Sequence, residues 1–266
     1  MMPIPDDAPL KDWLAEARGL ARDAGALAMP GFNGSEADRA VRMKGPGDVV
    51  TLYDGKVESY LRAALLERHP DHTVLGEEAG GSVGDWAWVL DPIDGTGNFA
   101  AGIPFWCISI GLMYRHRPVL GVVYDPNRDE MFSGISGIGA WRDGVPLELE
   151  RAPEAGRRIL GFGVTDKRAP ALTFDALQEL MQAGFRPRMP GAGALALAWV
   201  AAGRYHAYLE ANMHLWDVAG AAAVIEGAGG WITTSYDPAQ PQKAFAACAG
   251  APGLKRQMDT ACHRLL

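Results

Sequence analysis

Apolar positions recur at helical spacing twice near the start of the chain. Leu10, Trp13, Leu14, Ala17, Leu20, Ala21, Ala24 and Leu27 share one face and predict an amphipathic helix from about Leu10 to Met29. Val57, Leu61 and Leu65 repeat every four residues and predict a second helix from Asp54 to about Arg68, with Pro70 beyond its end. The pattern then shortens to strand-like runs. Trp86 to Leu90 stops at Asp91, and Phe105 to Met113, Val119 to Tyr124 and Glu130 to Ser133 follow, divided by turn residues. Asp143-Gly144 is a hairpin signal between Ala140-Trp141 and Val145 to Leu149.

After about Glu150 the two periods alternate. Strands are expected over Arg158 to Val164, Tyr205 to Glu210 and Trp231 to Thr234. Helices are expected over Phe174 to Ala183 with Thr173 as N-cap, over Leu195 to Ala202, and over Asp217 to Gly227. We therefore expect two units. Residues 1–150 carry helices on a largely antiparallel sheet, and residues 151–266 form an α/β layer, so the fold class is mixed, α+β with α/β.

Composition narrows the setting. A chain of 266 residues with 48% hydrophobic and 21% charged residues can bury a large core without staples. Its 33 glycines and 18 prolines, scattered among apolar runs, imply many turns. A net charge of -7 repels phosphate backbones and argues against nucleic acid as a bulk partner. Cys107, Cys248 and Cys262 are odd in number and widely spaced, with no zinc or disulfide pattern, which suits a reducing cytoplasm. The start MMPIPDDAPL lacks the basic end and apolar core of a signal peptide. The run from Gly191 to Gly203 is too short to span a bilayer and is closed by Arg204, so no membrane partner is expected.

The chemistry concentrates in Asp91-Pro92-Ile93-Asp94-Gly95-Thr96. Proline fixes φ at 92 and holds Asp91 extended, so the turn is stiff and can point two carboxylates into one space. Acids held that close repel unless a cation lies between them, and a hard cation such as Mg²⁺ takes oxygen ligands. The carbonyl of Ile93 could be a third ligand. Gly95-Thr96 lies where a short helix could begin, and free N–H groups there bind phosphate oxygens. The same residues also read as an Asp-Pro turn followed by an Asp-Gly turn.

Other acids are less specific. Glu77-Glu78 alone reads as a solvated turn. Asp54 and Asp217 each head a helix and read as caps. Asp48 precedes Val49-Val50-Thr51 at a strand edge. His69, His72, His116, His206 and His214 lack metal-ligand spacing, and Cys107 and Ser109 have no nucleophile-elbow context.

Four segments, in order, carry a resemblance. WVLDPIDGTGNF at 88–99 resembles the WxxDPxDGTxNF segment of the inositol monophosphatase family. LGEEAG at 75–80, GDVVTLYDGKVE at 47–58 and LEANMHLWDVAGAAAVIEGAGG at 209–230 resemble its GEE, DxVTxxDxxxE and WDxAAGxxIxxEAGG elements.

The resemblance implies a layered αβαβα sandwich and a homodimer. It implies a lithium-sensitive phosphatase that uses two or three Mg²⁺ ions on a small-molecule phosphate ester. It makes Glu77, Asp91, the Ile93 carbonyl, Asp94 and Asp217 metal ligands. It makes Asp48 and Thr96 the pair that orients the attacking water, with Glu77 also counted catalytic. The amides of Gly95 and Thr96 would bind phosphate, and Asp94, Gly193, Glu210 and Asp217 would face the substrate.

Two stretches depart from the family pattern. GRYHAY at 203–208 has His206 where the family has an acid, and GAGAL at 191–195 lacks a frequent hydroxyl. The substrate therefore stays open among inositol phosphate, histidinol phosphate, a sugar bisphosphate and a 3′-phosphonucleotide. A binding or regulatory protein that keeps the fold is the alternative of another class.

Overall fold

The computed structural model describes residues 5, 8–35, 39, 41–45, 48–149, 157–164 and 170–266; for 44, 45, 48, 49 and 170 it describes the backbone alone. Five layers stack in the order α-β-α-β-α. The first holds α1 (Leu10–Asn33) and α2 (Leu52–Arg68). Leu14, Leu20, Val57, Leu61 and Leu65 point into a core shared with Trp88, Leu90 and Val122 of the sheet below.

α1 runs past its expected end through Pro30, which lies in the last turn, where the missing N–H forfeits one bond near a fraying end. α2 starts at a capping box in which the Thr51 side chain receives the Tyr53 N–H, while the Asp54 carboxylate receives the Thr51 N–H. A two-stranded ribbon, β1 (Arg42–Gly45) with β2 (Asp48–Val50), links α1 to α2.

The second layer is an eight-stranded sheet of order β10-β9-β8-β7-β6-β5-β3-β4. Its strands are β3 (Thr73–Gly76), β4 (Gly80–Gly81), β5 (Trp86–Asp94), β6 (Cys107–Tyr114), β7 (Arg117–Asp125), β8 (Glu130–Ile135), β9 (Gly139–Arg142) and β10 (Val145–Leu147). All neighbours pair antiparallel except β3 and β5. The β9–β10 turn has Asp143 and Gly144 at φ 52° and 82°, the doubly left-handed turn that matches strand twist. A short helix, α3 (Thr96–Ala101), joins β5 to β6.

The fourth layer is a five-stranded sheet of order β12-β11-β13-β15-β14. It comprises β11 (Arg158–Gly163), β12 (Phe185–Arg188), β13 (Ala207–Met213), β14 (Trp231–Thr234) and β15 (Phe245–Gly250). Its outer face is covered by α4 (Pro170–Gln182) and α7 (Lys255–Leu265). Thr173 lies inside α4, buried, and does not cap it. Among the described residues no helix is long and apolar enough to cross a membrane.

Between the sheets lie α5 (Gly193–Ala201) and α6 (Leu215–Gly227). α6 comes unusually close to the first sheet, and three glycines explain how. Gly111 pairs with Gly121, and Gly121 with Gly134, so β6, β7 and β8 carry a glycine row in register. A Cβ on Gly111 would meet the Ala219 Cβ at 2.7 Å, and one on Gly134 would meet the Val224 Cα at 2.6 Å. On Gly121 it would overlap the Gly220 carbonyl outright. These glycines form a trench, not turns, and the small residues of α6 fill it.

Gly121→Ala should therefore lower stability by about 1–3 kcal/mol through overpacking. Gly19→Ala, in the exposed middle of α1 with nothing within 4 Å of the added carbon, should raise it slightly. Denaturant midpoints check both, and equal effects would refute the trench.

Candidate active site

A local irregularity in β5 brings the first two carboxylates together. Residues three apart on a regular strand face opposite sides of the sheet. Asp91 pairs with Ser109 and Asp94 with Cys107, so β5 uses three steps where β6 uses two. This bulge turns Asp91 and Asp94 to one face. Pro92 sits inside it, where the ladder asks for no N–H. The strand thus runs on to Asp94 instead of ending at Leu90.

The third carboxylate comes from α6. Asp217 is its third residue, not its cap; His214 caps the helix, and its N–H donates to Asp217 Oδ2 at 2.6 Å. Ligand oxygens of Asp91, Asp94 and Asp217 all lie within 4.8 Å of one another. Glu77 follows β3, and its N–H donates to the Leu90 carbonyl (3.2 Å), the residue before Asp91.

Burial pushes Asp91 well above its ordinary pKa, and the charges of Glu77, Asp94, Asp217 and Asp54 push it further. Burial likewise raises Asp217 strongly, against the His214 N–H bond. Asp94 is raised by burial too, although it accepts from the N–H groups of Leu195 (3.0 Å) and Gly193 (2.9 Å) and from the Cys107 thiol (3.4 Å). The donor set is all oxygen and all anionic, which fits a hard divalent cation.

Gly95 turns the chain at φ 87°, and a Cβ there would meet the Ala192 Cβ at 2.8 Å, so the starts of α3 and α5 lie side by side. Asn98 ties them together by donating to the carbonyls of Phe105 (2.7 Å) and Pro190 (2.9 Å). Thr96 opens α3. Its hydroxyl has two acceptors in reach, Asp54 Oδ1 at 3.1 Å and the Ile93 carbonyl at 3.0 Å.

Among the described residues, the carboxylate on Thr96 is Asp54. Asp48 starts β2, and its side chain lies outside the described residues. Asp54 is the third residue of α2 and not its cap; it accepts the N–H of the cap residue Thr51 and also reaches Thr96 across 42 residues. It is fully buried, and its pKa is raised by that burial against the hydrogen bonds of Thr51 and Thr96. In the sequence it reads as a helix-heading acid and as the second Asp of the DxVTxxDxxxE element.

Glu210 lies on β13, buried, with the Tyr208 hydroxyl donating to it at 2.6 Å. Burial raises its pKa to about 7. Gly163 faces it, and a Cβ there would overlap the carboxylate. A Cβ on Gly193 would stand 2.8 Å from the Met213 Cε and 3.8 Å from Glu210 Oε2, so Gly193 borders the same space. His206 has a structural partner: its Nδ1 accepts the Ile159 N–H at 2.9 Å, tying β13 to β11.

A model of the inositol monophosphatase family matches residues 10–262. The chain belongs to that family. Inositol monophosphatase 1 of Solanum lycopersicum is 37% identical over 239 residues, 86% of this chain and 85% of the relative. The Nus factor SuhB of Pasteurella multocida is 34% identical over 80% of this chain and 81% of its own. The solved structure of the extragenic suppressor protein suhB from Bartonella henselae superposes with a TM-score of 0.83 at 28% identity, covering 94% of this chain and 98% of that one. Membership supports a phosphatase of this superfamily, generally magnesium-dependent, with an α+β layered sandwich, and the acidic cluster could bind metal.

The raised pKa values have a testable sign. An acid whose folded pKa exceeds its unfolded one penalises the native state once both are ionised. The penalty lifts as pH falls through the folded value, because the native state then binds the extra proton. In metal-free protein, Asp91→Asn should melt no lower than wild type at neutral pH, and that relative gain should shrink on acidification. Its stabilisation by Mg²⁺ should be lost. Asp94→Asn should instead cost stability, since its amide would face the N–H of Gly193 or Leu195. Melting curves with and without Mg²⁺ decide; a large drop for metal-free Asp91→Asn would show Asp91 to be a structural turn residue.

Proposed function

We propose that this protein hydrolyses a small phosphate monoester with water as nucleophile and Mg²⁺ as cofactor. The observation that carries the reading is the convergence of Asp91, Asp94 and Asp217 at the start of α3, beside Thr96 hydrogen-bonded to Asp54. Glu77, the three aspartates and the Ile93 carbonyl would hold the metal. When bound, Mg²⁺ lowers the pKa of a water and offsets charge on the phosphoryl and leaving oxygens.

The chain's own residues supply the alignment. A hydroxyl has one hydrogen. When the Ile93 carbonyl is engaged elsewhere, the Thr96 hydrogen goes to Asp54, and the oxygen's lone pairs are left to accept from the attacking water. The amides of Gly95 and Thr96 face the phosphoryl oxygens. Glu210, flanked by Gly193 and Gly163, accepts from leaving-group hydroxyls. His206, which stands where the family pattern has an acid, is engaged with the Ile159 N–H. A binding role is the second reading, favoured by the Nus-factor name of one relative.

A panel of phosphate esters, including inositol, histidinol, sugar-bisphosphate and 3′-nucleotide members, tests the proposal. Phosphate release should need Mg²⁺ and stop with excess chelator. Glu210→Ala should lower kcat/KM for a polyol phosphate about tenfold or more, the worth of a charged acceptor, and leave p-nitrophenyl phosphate nearly unchanged. With Glu210 titrating at about 7, that preference should grow as pH rises through 7. Turnover in excess chelator, or no release from any ester, would overturn the reading.

A further inference from the structure

Glu77 stands at the end of β3, in a turn that reverses through Glu78 and Ala79 into β4. Such a turn is held by whatever takes its free N–H groups. Here a side chain 20 residues earlier takes two of them. Glu58 of α2 accepts the Glu78 N–H at Oε2 (2.7 Å) and the Ala79 N–H at Oε1 (3.0 Å). Glu58 is fully buried. Gly76 leaves room for it, since a Cβ at 76 would overlap the Glu58 carboxyl.

Arg62, one helical turn further, completes the arrangement. Its Nη2 donates to Glu58 Oε1 at 2.9 Å and to the Gly80 carbonyl at 2.7 Å, and its Nη1 donates to the Val74 carbonyl at 3.2 Å. Acid and guanidinium therefore grip the hairpin before, within and after the turn. A buried ion pair is poor value as plain stabilisation, because desolvation offsets most of the attraction. Its bonds here go to the peptide units on either side of Glu77.

We propose that Glu58, braced by Arg62, is a positioning residue that sets the Glu77 carboxylate against Asp91 for the cation. This rests on the metal-dependent reading above. Groups that orient metal ligands from behind typically change metal affinity 10–100-fold when removed.

The test is Mg²⁺ binding by isothermal titration calorimetry, expressed per folded protein, beside the Mg²⁺ dependence of phosphate release. Glu58→Gln turns an amide NH₂ toward one of the two N–H groups, and Glu58→Asp keeps the charge but falls short by a methylene. Both should weaken Mg²⁺ binding about tenfold, with kcat largely recovered at saturating Mg²⁺. Arg62→Ala keeps the two N–H bonds to Glu58; it should weaken binding less, in the same direction, and serves if the Glu58 variants do not fold. Unchanged Mg²⁺ affinity in the folded variants, whatever happens to Tm, would overturn this inference while leaving the phosphatase reading intact. A wild-type protein that takes up no Mg²⁺ would overturn both.

Discussion

Mutual repulsion among closely packed carboxylates, two of them buried, is the constraint on which this structure depends. Asp91, Asp94 and Asp217 place ligand oxygens within 4.8 Å of one another, and Glu77 adds its charge to Asp91. Without a cation such a group pushes itself apart or takes up protons. It can be kept convergent only by elements that cannot move, and three of them carry the four acids. The β5 bulge fixes Asp91 and Asp94, α6 wedged in its glycine trench fixes Asp217, and the turn clasped by Glu58 carries Glu77.

The layers explain why the site lies where it does. α6 is sandwiched between two sheets and starts beside the end of β5, so its first turn delivers Asp217 to the bulge. α5, in the same layer, turns its first N–H groups onto Asp94. β13 in the second sheet brings Glu210 to the edge of the same space. Under the proposed function, the first sheet and α6 would hold the metal and the second sheet would form the wall that meets the rest of the substrate. Under that proposal, substrate choice could vary at Glu210 without disturbing the acids.

Legibility from sequence followed the range of the interactions. α1 and α2 were readable because a one-sided apolar stripe is a local signal, although α1 ran on through Pro30. β15 was missed because FAACAG is buried on both faces and shows no alternation. α7 was missed because only Met258, Ala261 and Cys262 of its polar sequence are buried. The convergence of Asp91 and Asp94 was readable in the hexapeptide from Asp91 to Thr96 because the two acids are near neighbours in the chain. The Asp54 contact on Thr96 was not, since Asp54 looked like an ordinary cap and the contact spans 42 residues. The glycine row was invisible for the same reason, since Gly111, Gly121 and Gly134 acquire meaning only once three strands are in register.

The central claim is that this carboxylate cluster exists to hold a divalent cation. Mn²⁺ is a Mg²⁺ substitute that scatters X-rays anomalously, so crystals grown with it test the claim directly. The account predicts an anomalous peak bounded by the carboxylates of Asp91, Asp94 and Asp217, with Glu77 on its rim. A map with no peak there at saturating Mn²⁺, or with peaks only at surface acids, would contradict it.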